Sequence, residues 1–482
     1  MNSFFAESLL RIFLIWLVSC ARAAAPQAPV SAASYSGCNL GSDVQCYPVC
    51  IIGAGPSGLT VASELESRKI STVIFDSNLE VGGKCQSYYD DPARTKYHPM
   101  GAITFTNQTY NNTLPLILEA GLPLSPAPSP GPSANWLYWL YGPGIEGAQN
   151  VTEAPLPDEA ELISIQLEVE QYTLLWNTQF APNYTGSRTV FPKTLAVPMS
   201  EWLSANGFEL IPLFVEEGLV YYGYGDFTQT PALFALQLLT PEILTYIIGI
   251  TPGYSVDFHK LWVWFSETHV KGTIYSSTNV TQIDRSGEYP VVTYNTKGNE
   301  AHTQTCSRLV LAFPPTLRAL TAAGLDFTPQ ERKVFLNVGV EAYCPPVPDS
   351  GPIALLRYFN DSPISTTWSF GPSPYNETSS DTDEQVMELL VQTANSLGVG
   401  IAHNEVGNIT TPISVTEGDV KLFTRQDYFP HALTNALNAG FYESYNALQG
   451  QKNTYWTSGL NRFEDIESVI ISAKDLVDNV IC

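Results

Sequence analysis

The chain has 482 residues, 44% of them hydrophobic, enough for a two-domain globular protein with a large core. Its formal net charge of -24 argues against nucleic acid or an anionic membrane surface as a partner, because phosphate recognition needs clustered Lys and Arg. Among the 8 cysteines no Cys-x-x-Cys pair or Cys/His cluster has metal-ligand spacing, so no metal site is expected.

Arg11 precedes a short apolar run, Ile12 to Val18, followed by Ala21-Arg22-Ala23 and Ala23-Ala24-Ala25, two A-x-A cleavage patterns. Residues 1–25 therefore read as a cleaved secretory signal peptide, too short for the roughly twenty apolar residues of a membrane span. Residues 26–45 are a lead-in, rich at first in Pro, Ala and Ser. Cys20 leaves with the signal, and Cys38 and Cys46, flanking a short polar loop, are the pair best placed for a disulfide; Cys50, Cys85, Cys306, Cys344 and Cys482 stay unassigned. Sequons at Asn107, Asn111, Asn150, Asn183, Asn279, Asn376 and Asn408, with Asn360 ahead of Pro363, agree with a lumenal, N-glycosylated route.

The most informative stretch follows. Cys50-Ile51-Ile52 runs as an apolar strand into Gly53-Ala54-Gly55-Pro56-Ser57-Gly58, a Gly-x-Gly-x-x-Gly turn that opens a helix over Leu59 to Arg68. A second strand, Ser71 to Phe75, ends on Asp76. Gly53 permits the sharp turn, Gly55 lets backbone approach a pyrophosphate, and Gly58 lets helix and strand pack closely. The helix N-terminus supplies N–H groups and positive dipole to phosphate, and the acid can bind ribose hydroxyls. This is a dinucleotide-binding unit, and by itself it does not separate NAD from FAD.

Later features favour FAD. Glu80-Val81-Gly82-Gly83-Lys84 again permits close backbone approach beside a cation, and His98-Pro99-Met100-Gly101-Ala102 is a tight turn returning to the cofactor. The stretch Pro231 to Ile250 is apolar but interrupted at Pro241-Glu242, so it reads as two buried helices. Trp262-Val263-Trp264-Phe265 has helical spacing and belongs to a core, whereas Tyr221-Tyr222-Gly223-Tyr224-Gly225 is either a pocket wall or a loop. Gly272 to Ile283 leads to alternating strands Val291 to Asn295 and Ser307 to Ala312. Last, Trp456-Thr457-Ser458-Gly459 precedes Phe463-Glu464-Asp465-Ile466-Glu467, which opens a helix to about Asn479 whose N-terminus suits an electron-rich flavin edge. An exported protein also favours a tightly held flavin over a nicotinamide exchanged at each turnover.

On these motifs the chain, from Val49 onward, resembles the flavin-containing amine oxidase superfamily. More narrowly, through its export, length and Tyr428-Phe429-Pro430-His431, it resembles the secreted fungal beta-cyclopiazonate dehydrogenase branch. The resemblance implies an α/β fold, with a discontinuous Rossmann-like FAD-binding domain (46–124, 257–321 and 420–482) and an α+β, amine-oxidase-like substrate domain (125–256 and 322–419). It implies cofactor contacts from Gly53, Gly55, Pro56, Ser57, Gly58, Asp76, Gly83, Lys84, Gly101, Ala102, Val280, Gly459, Asp465 and Ile466. Thr424 lies near the position of the flavin-linking cysteine of monoamine oxidases, so FAD is expected without a covalent link. Lys84 replaces the family Arg and loses its planar fork. Asp465 occupies one position of the amine oxidases' aromatic cage; Phe463, Tyr428 or Trp456 could supply a wall instead, Trp456 also packing under the cofactor.

His431 and Tyr428 are the catalytic candidates, His431 as a general base because its ordinary pKa near 6.5 suits one. The resemblance implies hydride abstraction from a C–H of a small, polycyclic or prenylated secondary-metabolite precursor, with oxidative cyclisation or dehydrogenation and dioxygen as electron acceptor. A flavin amine or amino-acid oxidase releasing ammonia and hydrogen peroxide is the alternative; Arg357 and Arg425 are its candidates for a substrate carboxylate.

Overall fold

The computed structural model describes residues 47–482 apart from 103, 128–138, 141–148, 154–157, 185–187, 297–299, 345–353, 360, 371–381, 406–407, 413 and 425. The signal peptide, the lead-in and the Cys38–Cys46 pair lie outside the described residues.

Five short strands form the central sheet: β1 (Val49–Ile52), β2 (Thr72–Phe75), β3 (Thr273–Tyr275), β4 (Arg308–Leu311) and β5 (Thr454–Trp456). Their order is β5-β4-β1-β2-β3, and every pairing is parallel. The sequence dictates this: Val49-Cys50-Ile51-Ile52 and Thr72-Val73-Ile74-Phe75 do not alternate, and every residue in both strands is buried, as a parallel sheet covered on both faces requires. Helix α1 (Pro56–Ser67) returns from β1 across one face. It packs through Leu59, Ala62 and Leu65 into a core shared with Leu261, Trp262 and Phe265 of α2 (Phe258–His269) and Ile466, Ile470 and Ala473 of α3 (Ile466–Leu476). The strands come from three stretches of chain separated by long insertions, so the sheet closes only when distant segments meet.

One covalent bond secures that closure. Cys50 in β1 is bonded to Cys306, two residues ahead of β4, with Cα atoms 5.5 Å apart across 256 positions. Between β3 and β4 the strands Asn279–Asp284, Val291–Asn295 and Ala301–Thr305 form a three-stranded antiparallel meander.

A second antiparallel sheet has the order Ala354–Leu356, Thr366–Phe370, Val338–Cys344, Gln426–Ala432. Its last strand corrects the boundary drawn at residue 420. Gln426–Ala432 hydrogen-bonds to Val338–Cys344, not to the parallel sheet, because long-range pairing and not sequence proximity decides strand membership. The expected helix break at Pro241 is present: Ala232–Leu238 and Pro241–Ile247 are separate, and Thr240 caps the second by accepting the Ile243 N–H at 3.2 Å. Among the described residues no helix is long and apolar enough to cross a membrane.

Replacing both bridged cysteines (Cys50→Ala with Cys306→Ala) should cost roughly 2–5 kcal/mol, because the bond closes a very long loop in the unfolded chain. Thermal unfolding of the double variant checks this, and an unchanged Tm would refute it.

Candidate cofactor and active site

A single cavity of about 870 Å3 runs from the glycine turn to a wall of tyrosines. That volume lies toward the upper end of the range of roughly 300–1,000 Å3 that small-molecule and cofactor sites occupy.

At one end lie Gly53, Gly55, Pro56, Ser57, Asp76 and Val280. Gly53 has φ +110, and a Cβ there would stand 2.6 Å from the Ala312 carbonyl oxygen, so the turn between β1 and α1 excludes any side chain. Gly58 does not line the cavity; its Cβ would fall 2.0 Å from the Gly53 carbonyl oxygen, so it serves helix–strand approach. α1 begins at Gly55 with no side-chain cap and with Pro56 in its first turn, which leaves N–H groups at its positive end for a phosphate. The buried Asp76 carboxylate accepts the Ala54 N–H at 2.6 Å and the Asn78 N–H at 2.7 Å. Burial raises its pKa and the two N–H groups pull it back. Each oxygen keeps a second lone pair for a ribose hydroxyl. The Ser57 and Thr457 hydroxyls, 2.7 Å apart, tie the turn to the last segment of the chain.

Gly83 packs against Gly55, and Lys84, Gly101, Ala102, Tyr428, Gly459, Asp465 and Ile466 line the same cavity. The Lys84 ammonium donates to the Glu464 carboxylate and to the Asp427 carbonyl, and lies 5.1 Å from the centre of the Tyr428 ring. Tyr224 stands 5.5 Å from Tyr428 and 4.7 Å from Phe463, ring centre to ring centre, and its hydroxyl donates to the Glu464 carbonyl at 2.5 Å. Tyr110, Tyr222, Phe75, Phe105, Phe258 and Phe313 also line the cavity. Burial raises the Glu464 carboxyl while Lys84 and the Phe429 backbone N–H oppose the rise. Asp465 caps α3, accepting the Ser468 N–H at 2.6 Å and its hydroxyl at 2.9 Å; burial pushes its carboxyl up to about 6.

The structure thus brings thirteen of the fourteen expected cofactor residues to one cavity, Gly58 standing behind it. Tyr428 faces the same space, and burial pushes its phenol above the ordinary range, so it stays protonated at neutral pH. His431 requires correction. It is buried outside the cavity lining, stacked on Phe429 at 4.4 Å and edge-on to Phe234, with Nδ1 2.7 Å from the Phe429 carbonyl. Burial lowers its pKa to about 4, so it stays neutral in the core and does not fit a base acting on a substrate. Trp456 is likewise core, 4.6 Å from Phe335, and does not line the cavity. Glu464, Tyr110, Phe105 and Phe258 were not anticipated. Glu464 carried a signal, standing beside Asp465 in the sequence, whereas Tyr110 and Phe105 reach the cavity from a loop with no motif.

Comparison with known proteins agrees with this geometry. The family model described as an NAD(P)-binding Rossmann-like domain matches residues 51–119. The chain is 26% identical to an uncharacterised protein, R656, of Acanthamoeba polyphaga mimivirus, covering 89% of this chain and 92% of that one. It is 22% identical to the FAD-dependent oxidoreductase dpchF of Colletotrichum higginsianum, over 86% and 88% of the two chains. Among solved structures it resembles the CLA-producing fatty acid isomerase from P. acnes, with TM-score 0.66, 21% identity, and 90% and 99% of the chains covered. A putrescine oxidase variant matches with TM-score 0.56, 15% identity, and 90% and 98% covered. Fold, cavity and relatives define one class: a flavin oxidoreductase with the amine-oxidase fold, FAD being the cofactor the cavity is shaped to hold.

Asp76→Ala removes the acceptor that fixes the glycine turn and would hold the ribose hydroxyls of a bound dinucleotide. The loss of one charge-assisted bond, about 1.5–3 kcal/mol, should weaken FAD binding roughly 10- to 100-fold. Titration of apoprotein with FAD by fluorescence quenching checks it.

Proposed function

We propose that the chain is an exported FAD-dependent oxidoreductase that removes a hydride from a C–H bond of a small organic substrate, in an oxidative cyclisation or dehydrogenation of fungal secondary metabolism. The observation that carries this reading is the continuity of the cavity, which joins a dinucleotide-binding turn to an aromatic wall without a partition. Bound FAD supplies a two-electron acceptor at that wall.

The chain's own residues do the rest. Tyr224 and Tyr428 offer flat faces to a polycyclic or prenylated guest, and Phe105 and Phe258 help keep water out. Lys84 and Glu464 fix the polar edge of the site, and positioning of the reacting carbon roughly 3–3.5 Å from its acceptor accounts for much of the rate. Dioxygen is the electron acceptor in this reading. The substrate domain is formed by 125–256 and 322–419, with strand Gln426–Ala432 added to its sheet.

Export is supported by the buried Cys50–Cys306 bond, since such bonds persist in oxidising compartments, and by sequons that stay exposed at Asn107, Asn111, Asn150 and Asn408. The amino-acid oxidase alternative draws less support. Arg357 is exposed, lies outside the cavity and donates to the Ser362 carbonyl at 2.8 Å, Arg425 lies outside the described residues, and the cavity's Arg318 is paired with Asp427.

Purified protein should be yellow, and acid precipitation should leave the flavin in the supernatant, as a non-covalent cofactor requires. Reduction of that flavin under anaerobic conditions by a prenylated or polycyclic precursor, with cyclised or desaturated product and no ammonia, is the expected outcome. Ammonia and peroxide from simple amines would instead establish the amine-oxidase alternative.

A further inference from the structure

Behind the main cavity is a second chamber of about 10 Å3, room for a single water molecule. Tyr110, Tyr222 and Asp465 line both spaces and so form the partition between them. On its far side the chamber is lined by Tyr184 and Thr109, whose side chains hydrogen-bond to each other, and Thr109 follows the exposed Asn107 and Gln108. The Tyr222 hydroxyl is buried and has no hydrogen-bond partner among the described residues. An unmet buried hydroxyl costs about 1–3 kcal/mol unless water satisfies it. Both Asp465 oxygens accept from Ser468, yet each retains a lone pair.

We propose that Asp465 and this chamber form the proton exit of the active site: one water, held between the Asp465 carboxylate and the Tyr222 hydroxyl, passes the proton freed by substrate oxidation toward Tyr184, Thr109 and solvent. The proposal rests on the oxidoreductase reading above. Oxidation breaks a C–H bond, whose hydrogen leaves with both electrons for the flavin. It also breaks an N–H or O–H bond on the substrate, or on the group that traps the oxidised carbon, and that proton goes to an Asp465 oxygen. A new bond forms at the oxidised carbon, and one proton reaches solvent per electron pair.

The charged and titratable groups around Asp465 are Glu464, Glu467 and Arg462 from its own segment, Arg188 from the helical region, and Tyr110, Tyr184, Tyr224 and Tyr428. Burial raises all four phenols, so they stay neutral. Asp465 itself changes charge at about 6, and only its carboxylate form can accept a proton, so reduction should speed up as pH rises through that value.

Two variants test the path. Asp465→Asn keeps a good helix cap but cannot take a proton, and Tyr222→Phe keeps the ring but loses the hydroxyl. A high-resolution structure should show one water between Tyr222 and Asp465, absent in Tyr222→Phe. Stopped-flow anaerobic reduction should show the inflection near pH 6 in the wild type. In Asp465→Asn, measured on protein loaded with FAD, the inflection should vanish and the rate should fall roughly 100-fold or more. An empty chamber, or an inflection and rate that survive Asp465→Asn, overturns the proposal. A protein that binds no FAD, or whose flavin no substrate reduces, defeats the oxidoreductase reading and the exit with it. A flavin that is reduced normally above an empty chamber defeats the exit alone.

Discussion

The nucleotide end of the cavity depends on how closely α1 can lie against β1. A side chain at position 58 would begin 2.0 Å from the Gly53 carbonyl oxygen, so the approach is backbone on backbone. That contact fixes where the helix begins, and with it the direction of its unpaired N–H groups. Asp76 then locks the arrangement from the next strand, because the carboxylate that accepts the Ala54 N–H also closes the turn after β2 through Asn78. Position and charge at this end are one problem solved once, at the carboxyl edge of a parallel sheet.

The opposite end is governed by two consecutive carboxylates with different surroundings. Glu464 is paired with Lys84, whereas Asp465 leans on the N-terminus of α3 through Ser468. Burial raises both, but Lys84 opposes the rise only at Glu464. Neighbouring acids whose environments push them apart can take different roles, one electrostatic and one in proton transfer. Lys84 suits this arrangement. A compact ammonium reaches Glu464, the Asp427 carbonyl and the Tyr428 face at once, a grouping that does not need the planar fork of an arginine.

How much of this could be read from the sequence follows the range of the interactions. The strand, glycine turn, helix and Asp76 are local, each within a few residues of the next, and their periodicity and turn chemistry identify them. The aromatic wall is not local. Tyr110, Tyr224 and Tyr428 arrive from three distant stretches, and nothing in the spacing of tyrosines says which will meet. The same holds for Cys306, whose partner in β1 lies 256 positions earlier and becomes a neighbour only when β4 pairs with β1. Strand Gln426–Ala432 was placed with the segment that follows it in sequence, and the partner that claims it lies about ninety residues upstream.

His431 failed for a different reason, which the strand itself explains. Glu341 pairs with Tyr428 and Gly339 with His431, so three steps on one strand face two on the other, and Phe429 takes φ +50 at the irregularity. Pro430, which has no N–H to give a ladder, is tolerated at such a bulge. A bulge breaks simple alternation and re-aims side chains, so the direction of residues 428 and 431 cannot be deduced from their spacing. Here Tyr428 is presented to the cavity beside Lys84, while the imidazole turns back onto Phe429. A neutral His431, with Nδ1 2.7 Å from the Phe429 carbonyl, must carry its proton on that nitrogen, because a carbonyl can only accept. The histidine read as a base thus closes the bulge that delivers the tyrosine, and Tyr-Phe-Pro-His shapes the cavity wall through one phenol that lines it and one imidazole buried outside it.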